Sequence, residues 1–400
     1  MKNSISALKH IVSHAYNETD YYRQLFDSAK INIEKINEVT DLSAIPILTR
    51  DDILEKESSF LAKPYNKFPD KDRLLLKRGL CTSGHIMKIY WDENDEARFL
   101  ENLQNLRKEQ YGIDTESVVC SFHGSRYVGN KLAYHKEKVL SHDRKFLSFS
   151  ILNLTDEKVK SYLEAMSKIG VNWLQLRPGI AIILAEAINR NNLSLPRTLK
   201  YVELVGEGLH DEDRKLIQNA FQTKLAFLYR NTETGPIAYE CKYNELHVSE
   251  DNVLVEIIDN GQPVEGESGN ICVTSLSNHA MPIIRLNTDN AGELLDVSCP
   301  CGNSAPILRL KNEQSCDFFY AKDGQKISSE VLKFLVEQTN EFMSGAIQRF
   351  YIKQNEAGNF TIECLLKQEY KNWREAIMQT FLANISEPRL QDAKWSFNFL

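Results

Sequence analysis

The chain has 400 residues, 42% of them hydrophobic and 26% charged, with a net charge of −7 at neutral pH. That length is too great for one small core and predicts two or three domains. The mildly acidic, sign-mixed composition gives no basic footprint for nucleic acid, no apolar run approaches the roughly 18 residues of a membrane span, and Met1-Lys2-Asn3-Ser4 does not open an apolar signal core. A cytoplasmic protein is expected, its eight cysteines present as thiols or metal ligands.

Residues 1–28 show helical spacing (Ile5, Leu8, Ile11, Val12), and an acidic connector then leads to Ile45-Pro46-Ile47-Leu48-Thr49-Arg50-Asp51-Asp52. Thr49 is suited to cap a helix beginning at Arg50, with the acidic pair in its positive first turn. Helical spacing returns over Asp95–Tyr111. From residue 157 to 229 helices and strands alternate: helix Glu157–Lys168, strand Val171–Leu176, helix Pro178–Asn189, strand Lys200–Val205, helix Asp211–Phe221 and strand Lys224–Leu228. Such β-α-β units predict a parallel sheet. After Tyr239 the period becomes 2, predicting antiparallel strands at Leu246–Val248, Val253–Ile258 and Gly269–Leu276, with Asp259-Asn260-Gly261 a hairpin turn. Pro282–Leu286 reads as a further strand. The last segment reads strand Phe318–Ala321, helix Ser328–Thr339, strands Ile347–Lys353 and Phe360–Leu366, helix Tyr370–Ile385 and strand Lys394–Leu400, a small ferredoxin-like α+β unit. The fold class is therefore α/β, a large multi-sheet domain over residues 1–312 and a small C-terminal domain over 313–400, with the boundary near Asn312–Asp317.

Two polar segments stand beside apolar runs. Tyr229-Arg230-Asn231-Thr232-Glu233-Thr234-Gly235 follows Lys224–Leu228, and Asn287-Thr288-Asp289 follows Pro282–Leu286. Acids and hydroxyls past strand ends are where open α/β sheets take ligands; the other reading of Thr-Glu-Thr-Gly is a turn with a helix cap. Cys241 and His247, with Cys299-Pro300-Cys301-Gly302, supply three sulfurs and one nitrogen, the donor set of a closed structural zinc site. The alternative is four unrelated residues, with Cys241 and Cys301 buried thiols. His123 and Arg126, in Phe122-His123-Gly124-Ser125-Arg126-Tyr127, stand where they could meet a carboxylate, and a satisfied structural histidine is the competing reading. The remaining cysteines read as core or loop residues, with an acyl-accepting cysteine the other reading.

In order along the chain, these segments resemble the adenylate-forming enzymes, in particular the phenylacetate–coenzyme A ligase branch. "LKHIVSHAYNETDYYRQLFDSAKI" and "VTDLSAIPILTRDDI" resemble its opening helix and the "iPvltK-d" segment, "VELVGEGL" its nucleotide-side strand and turn, "SGNICVTSLSNHAMPIIRLNTDNAGEL" its "GelvvTnL…mPliRyrTgD" run, and "CPCGNSAPILRL" its Cys-x-Cys-Gly segment. The resemblance implies ATP-dependent activation of a small carboxylic acid as an acyl-adenylate, followed by transfer to coenzyme A, a carrier protein or an amine. It implies ATP and magnesium as cofactors, with Glu233 as the magnesium ligand, Thr232 on the α-phosphate, Tyr229 packed on adenine, Gly206 and Glu207 beside it, and Asp289 on the ribose hydroxyls. Arg177, in Arg177-Pro178-Gly179, falls where the family lines its acid pocket. The phosphate loop departs from the pattern: Cys81-Thr82-Ser83-Gly84-His85-Ile86-Met87-Lys88 begins correctly at Thr82, Ser83 and Gly84 but is about three residues short. Either Lys88 reaches the phosphates from a tighter turn or the loop has lost its grip. The family's hinge arginine is replaced in Glu313-Gln314-Ser315-Cys316-Asp317, and Lys394, preceded by alanine, is the candidate for the transition-state lysine, with a solvated strand-edge residue the competing reading. These departures leave a second reading: a degenerate relative that binds a nucleotide or acyl conjugate without adenylating, as a scaffold or partner. The acid, the acceptor and the oligomeric state leave no trace in the sequence.

Overall fold

A computed structural model describes residues 2–67, 70–80, 84, 86–123, 126–128, 131–133, 137–206, 208–311 and 318–400. The chain divides into two compact units, Met1–Gly79 with Met87–Gly112 and Ala226–Glu313, and Leu80–Ile86 with Ile113–Leu225 and Gln314–Leu400.

The first unit opens with helices Lys2–Glu18 and Asp20–Ala29. The periodicity of residues 1–28 is thus split at Thr19, whose extended backbone lets its hydroxyl accept the Tyr22 amide at 3.2 Å as an N-cap. Leu8, Ile11, Val12 and Ala15 are buried along one face. An antiparallel sheet forms the body, pairing in order Gln262–Pro263, Val253–Asp259, Gly269–Ser275, Leu286–Leu295, Ile307–Lys311, Leu246–Val248, Gly235–Glu240 and Lys224–Asn231. The hairpin at Asp259 closes on Asn260 and Gly261, both at positive φ (47° and 82°), the backbone a two-residue turn requires.

One expected strand is absent. Pro282–Ile284 is not part of a strand, although the Ile283 carbonyl accepts the Ser275 amide at 2.9 Å, and the strand starts at Leu286. Arg285, at φ 56°, turns the chain and sends its guanidinium into the core, where it meets Glu256 at 3.1 Å and the Ile45 carbonyl at 2.5 Å. The apolar run is buried, with Ile283 and Ile284 both at 0% exposure, but buried around an ion pair, not laid along a ladder. Asn287-Thr288-Asp289 therefore lies inside the strand and not past its end.

In the second unit, Tyr201–Gly206, Trp173–Leu176, Val119–His123 and Phe146–Ser150 pair in parallel, with Lys138–Leu140 antiparallel at the edge. Helices Asp156–Ile169, Pro178–Asn191 and Asp211–Phe221 connect or follow these strands, as the alternating pattern predicts. The Pro178–Asn191 helix buries Ile180, Ile182, Leu184 and Ile188, each contributing about 1.5–3 kcal/mol. The C-terminal segment carries a Phe318–Tyr320/Lys326–Ser328 hairpin, helix Ser329–Phe342, strands Ile347–Glu356 and Asn359–Leu366, helix Arg374–Ala383 and strand Lys394–Phe399. The last three strands form one sheet, and the first expected strand pairs within the hairpin instead. No helix among the described residues is long and apolar enough to cross a membrane.

Candidate functional site

In the first unit, three distant segments meet at Arg50. The Leu48 amide donates to the Arg285 carbonyl at 2.8 Å and the Asn287 amide to the Leu48 carbonyl at 2.9 Å, laying the opening segment beside Leu286. Thr49 then caps the helix Arg50–Glu55 through a reciprocal bond pair with Asp52, which fixes Arg50 in the first turn, facing inward. Its Nε donates to Glu233 Oε1 at 2.7 Å; its Nη1 donates to Asp289 Oδ2 at 2.7 Å and to the Thr288 carbonyl at 3.0 Å. Side-chain exposure is 2% for Arg50 and 1% for Glu233, but 42% for Asp289, so the buried charge array opens outward at Asp289.

Glu233 reaches this centre because Thr-Glu-Thr-Gly is a turn. It joins strands Lys224–Asn231 and Gly235–Glu240, so no helix follows it to be capped. Asn231 Oδ1 accepts from the Thr234 amide at 2.7 Å and its hydroxyl at 2.8 Å, while Trp91 Nε1 donates to the Thr232 carbonyl at 3.1 Å. Gly235 completes the turn at φ 75° against Trp91 and Phe99, a backbone position that suits glycine. Gly79 lies against Thr232 so closely that a Cβ would stand 3.0 Å from its Oγ1. Tyr229 is 1% exposed, its hydroxyl 3.4 Å from Thr288 Oγ1. Tyr229, Glu233, Thr288 and Asp289 therefore form one cluster, with Thr232 beside it. Lys88 is half-buried on strand Ile86–Asp92, on the face opposite the buried Met87 and Ile89.

The donor set around Glu233 is that of an ion pair and does not fit a magnesium ion: one carboxylate oxygen faces a guanidinium and the side chain is closed to solvent. The cysteine–histidine set, by contrast, fits zinc. The ligand atoms of Cys241, His247, Cys299 and Cys301 lie within 4.8 Å of one another. Cys241 Sγ and Cys299 Sγ are 3.8 Å apart, and Cys301 Sγ is 3.3 Å from His247 Nε2. Sulfurs bound at about 2.3 Å in a tetrahedron stand about 3.8 Å apart. His247 Nδ1 lies 2.9 Å from the Ala305 carbonyl, a contact that makes Nδ1 the protonated nitrogen and leaves Nε2 as the ligand. The amides of Tyr243 and Asn303 each point at a sulfur at 3.4 Å.

In the second unit, Gly84 sits at φ 80° and its carbonyl accepts the Phe350 amide at 2.9 Å. Thr82, Ser83, Glu207 and the hinge residues Glu313–Asp317 lie outside the described residues, as does the side chain of Arg126. His123 ends the strand Val119–His123 with Nδ1 2.5 Å from Ser148 Oγ. Gly206 approaches Pro178, where a Cβ would stand 3.4 Å from the ring, and Arg177 is exposed at the start of the Pro178–Asn191 helix. Glu330 is pushed up by burial, yet Lys333 and then Arg177 together hold its carboxyl below the usual range. Lys394 is exposed at the start of the edge strand Lys394–Phe399.

Sequence reading missed three features here. Arg50 looked like an ordinary first-turn residue. A polar ladder crosses the parallel strands, with Ser148 opposite Ser121, Ser121 opposite Gln175 and Gln175 opposite Glu203. Gln175 Nε2 donates to Glu203 Oε1 at 2.8 Å, and Glu203, at 0% exposure, also accepts from the Tyr201 hydroxyl at 3.1 Å. Finally, the C-terminal segment is clasped to the rest of its unit by Glu387, fully buried, which accepts the Asn153 amide at 2.5 Å and Arg389 Nε at 2.7 Å; Lys326 pairs with Glu186 nearby.

No family model matches the chain. A phenylacetate-coenzyme A ligase of Thermus thermophilus is 23% identical over 315 residues, 75% of this chain and 68% of that protein. One of Pseudomonas putida is 22% identical over 320 residues, 77% of this chain and 69% of that protein. Among solved structures, a 2-hydroxyisobutyryl-CoA ligase with 2-HIB-AMP and CoA in its thioesterification state superposes at a TM-score of 0.64 and 17% identity, covering 100% of this chain and 86% of that chain. Its postadenylation state with 2-HIB-AMP gives 0.63 and 16%, covering 100% and 85%. At those identities the structural likeness establishes the fold.

Proposed function

We propose, for a chain that has the adenylate-forming fold and resembles phenylacetate–coenzyme A ligases in sequence, that it activates a carboxylic acid with ATP and passes the acyl group to a thiol. A carboxylate oxygen attacks the α-phosphorus, an acyl–phosphate anhydride forms and pyrophosphate leaves. The thiol sulfur of coenzyme A or a carrier protein, or an amine nitrogen, then attacks the acyl carbon and AMP departs. The observation that carries this reading is the convergence of Glu233, Thr288 and Asp289 on Arg50, with Tyr229 against Thr288.

Within that reading Asp289 accepts the ribose hydroxyls, since a carboxylate takes two donors at once and this one is the exposed end of the cluster. Thr232 offers its hydroxyl to the α-phosphate and Tyr229 serves the adenine, the role that the resemblance also gives to Gly206 and Glu207. Thr82, Ser83, Gly84 and Lys88 serve the phosphates, and Lys394 stabilises charge on the adenylating phosphate. His123, Arg126 and Arg177 serve the acid. Magnesium, when bound with ATP, neutralises phosphate charge. Cys241, His247, Cys299 and Cys301 hold a structural zinc that fastens the Cys241–His247 hairpin to the Cys299–Cys301 turn, closed to chemistry because all four positions are filled by protein.

The test is ATP–pyrophosphate exchange with a panel of aromatic and short aliphatic acids. Exchange above the acid-free background, lost in D289N, supports activation. Binding of AMP with no exchange for any acid would favour the non-adenylating relative.

A further inference from the structure

We propose that Arg50 is a positioning residue for the nucleotide: it holds Asp289 in the orientation that receives ribose and neutralises Glu233, so that the Glu233 carboxylate serves the guanidinium and not a metal. This rests on the nucleotide reading of the same site.

The geometry asks for an arginine. One planar fork reaches two carboxylates on different segments, each at 2.7 Å, and a carbonyl at 3.0 Å. A lysine ammonium, a compact point charge, cannot span both acids with such directed bonds. Asp289 needs the constraint. Its backbone sits at φ 59°, a region aspartate tolerates but does not favour, with its amide donating to Asn287 Oδ1 at 3.0 Å. Arg50 grips both its carboxylate and the preceding carbonyl, which fixes the direction of the exposed acid. Glu233 differs from Asp289 in having no open side: its exposure is 1% and its Oε1 already has a full positive partner. A divalent cation on that carboxylate would have to shed its water into a closed space beside a guanidinium of the same sign. Among the described contacts Arg50 faces two carboxylates, and the one that solvent and ligand can reach is Asp289.

The experiment is calorimetric titration of the full chain with AMP, which needs no metal, and of Mg-ATP over a magnesium series. Wild type should bind AMP. D289N and R50K should each weaken AMP binding about tenfold, and R50K/D289N should be no weaker than D289N alone, because Arg50 acts through Asp289. E233Q should leave the magnesium dependence of ATP binding within about threefold of wild type. If R50K loses stability, the uncharged pair R50M/E233Q, which removes both buried members of the ion pair together, carries the AMP measurement. AMP affinity unchanged in R50K and in R50M/E233Q, or additive losses in R50K/D289N, overturns the positioning role. A tenfold or greater rise in the magnesium requirement of E233Q overturns the assignment of Glu233 to Arg50. Wild type that binds neither AMP nor Mg-ATP removes the nucleotide reading itself, a different result from wild-type binding that ignores Arg50.

Discussion

The Asn287 amide donates to the Leu48 carbonyl at 2.9 Å, and with the reciprocal bond from Leu48 to Arg285 this stitch sets the position of everything that follows in the opening segment. Two residues later Arg50 enters the core at a fixed height on the sheet. The Thr49 cap is the other half of that placement, so T49A should cost about 1 kcal/mol of stability. It should weaken AMP binding in the same direction as R50K, read by calorimetry. A stability loss with no change in AMP affinity would confine Thr49 to helix capping.

Removal of Cys301 should release the metal. Wild type purified without chelator should carry about one zinc per chain by elemental analysis, and C301S well under half. The variant should also unfold at lower denaturant, because the metal closes a loop between Cys241 and Cys299, 58 positions apart. Metal-free wild type with unaltered stability would leave the four residues as unrelated neighbours.

Gly84 accepts no side chain without movement. A Cβ there would stand 1.9 Å from the Phe350 carbonyl, and φ 80° penalises any other residue besides. G84A should cost roughly 1–3 kcal/mol and loosen the strand Ile347–Glu356, which limited proteolysis or amide exchange of residues 347–356 reads directly. Unchanged protection there would mean that the contact is not held in solution.

Glu387 is buried between the Asn153 amide and Arg389. E387A leaves Arg389 without its carboxylate and should cost about 3–5 kcal/mol of folding free energy, measured by urea unfolding. K326M, which breaks the partly exposed pair with Glu186, should cost under about 1 kcal/mol. Equal effects for the two would remove the distinction between clasp and surface pair.

Acid should weaken the N-terminal helix through His14. Burial holds its imidazole below the ordinary value of 6.5; the His279 carbonyl opposes this, the His279 ring adds to it, Glu18 opposes and His10 adds. Asp95 and Arg98 face the same cluster through His279. The unfolded chain then takes up the proton more readily, so stability is whole above about pH 6.5 and declines as the pH falls below it. Urea unfolding at pH 7.5 and pH 5.5, pH values chosen about one unit to either side, should show a larger loss for wild type than for H14Q. Equal losses would place the acid sensitivity elsewhere.

Much of this fold is legible from local pattern. Asp211–Phe221 and Leu246–Val248 have the bounds that spacing predicts, and Asp259-Asn260-Gly261 turns as its residues demand. Local pattern failed where the core is ionic. Pro282–Leu286 has the composition of a strand, but Arg285 turns inward to Glu256 and the ladder begins only at its last residue. The candidate site was half legible. Thr232, Glu233 and Asp289 are marked by short polar segments against apolar runs. Arg50 carries no such mark, because its partners lie 183 and 239 residues away and its neighbours spell only a helix start. Propensity reads neighbours in sequence, and a buried ion pair is decided by neighbours in space.

The ladder of Ser148, Ser121, Gln175 and Glu203 has an evolutionary consequence. Its rungs stand opposite one another on adjacent strands, and Glu203 has no solvent to fall back on. A change at Gln175 takes one donor from buried Glu203, which keeps the Tyr201 hydroxyl, whereas a matched change at both positions removes donor and acceptor together. Substitutions at these positions should therefore be inherited in pairs, and aligned homologues should show Gln175 and Glu203 drifting together while the flanking Leu174 and Val202 drift alone.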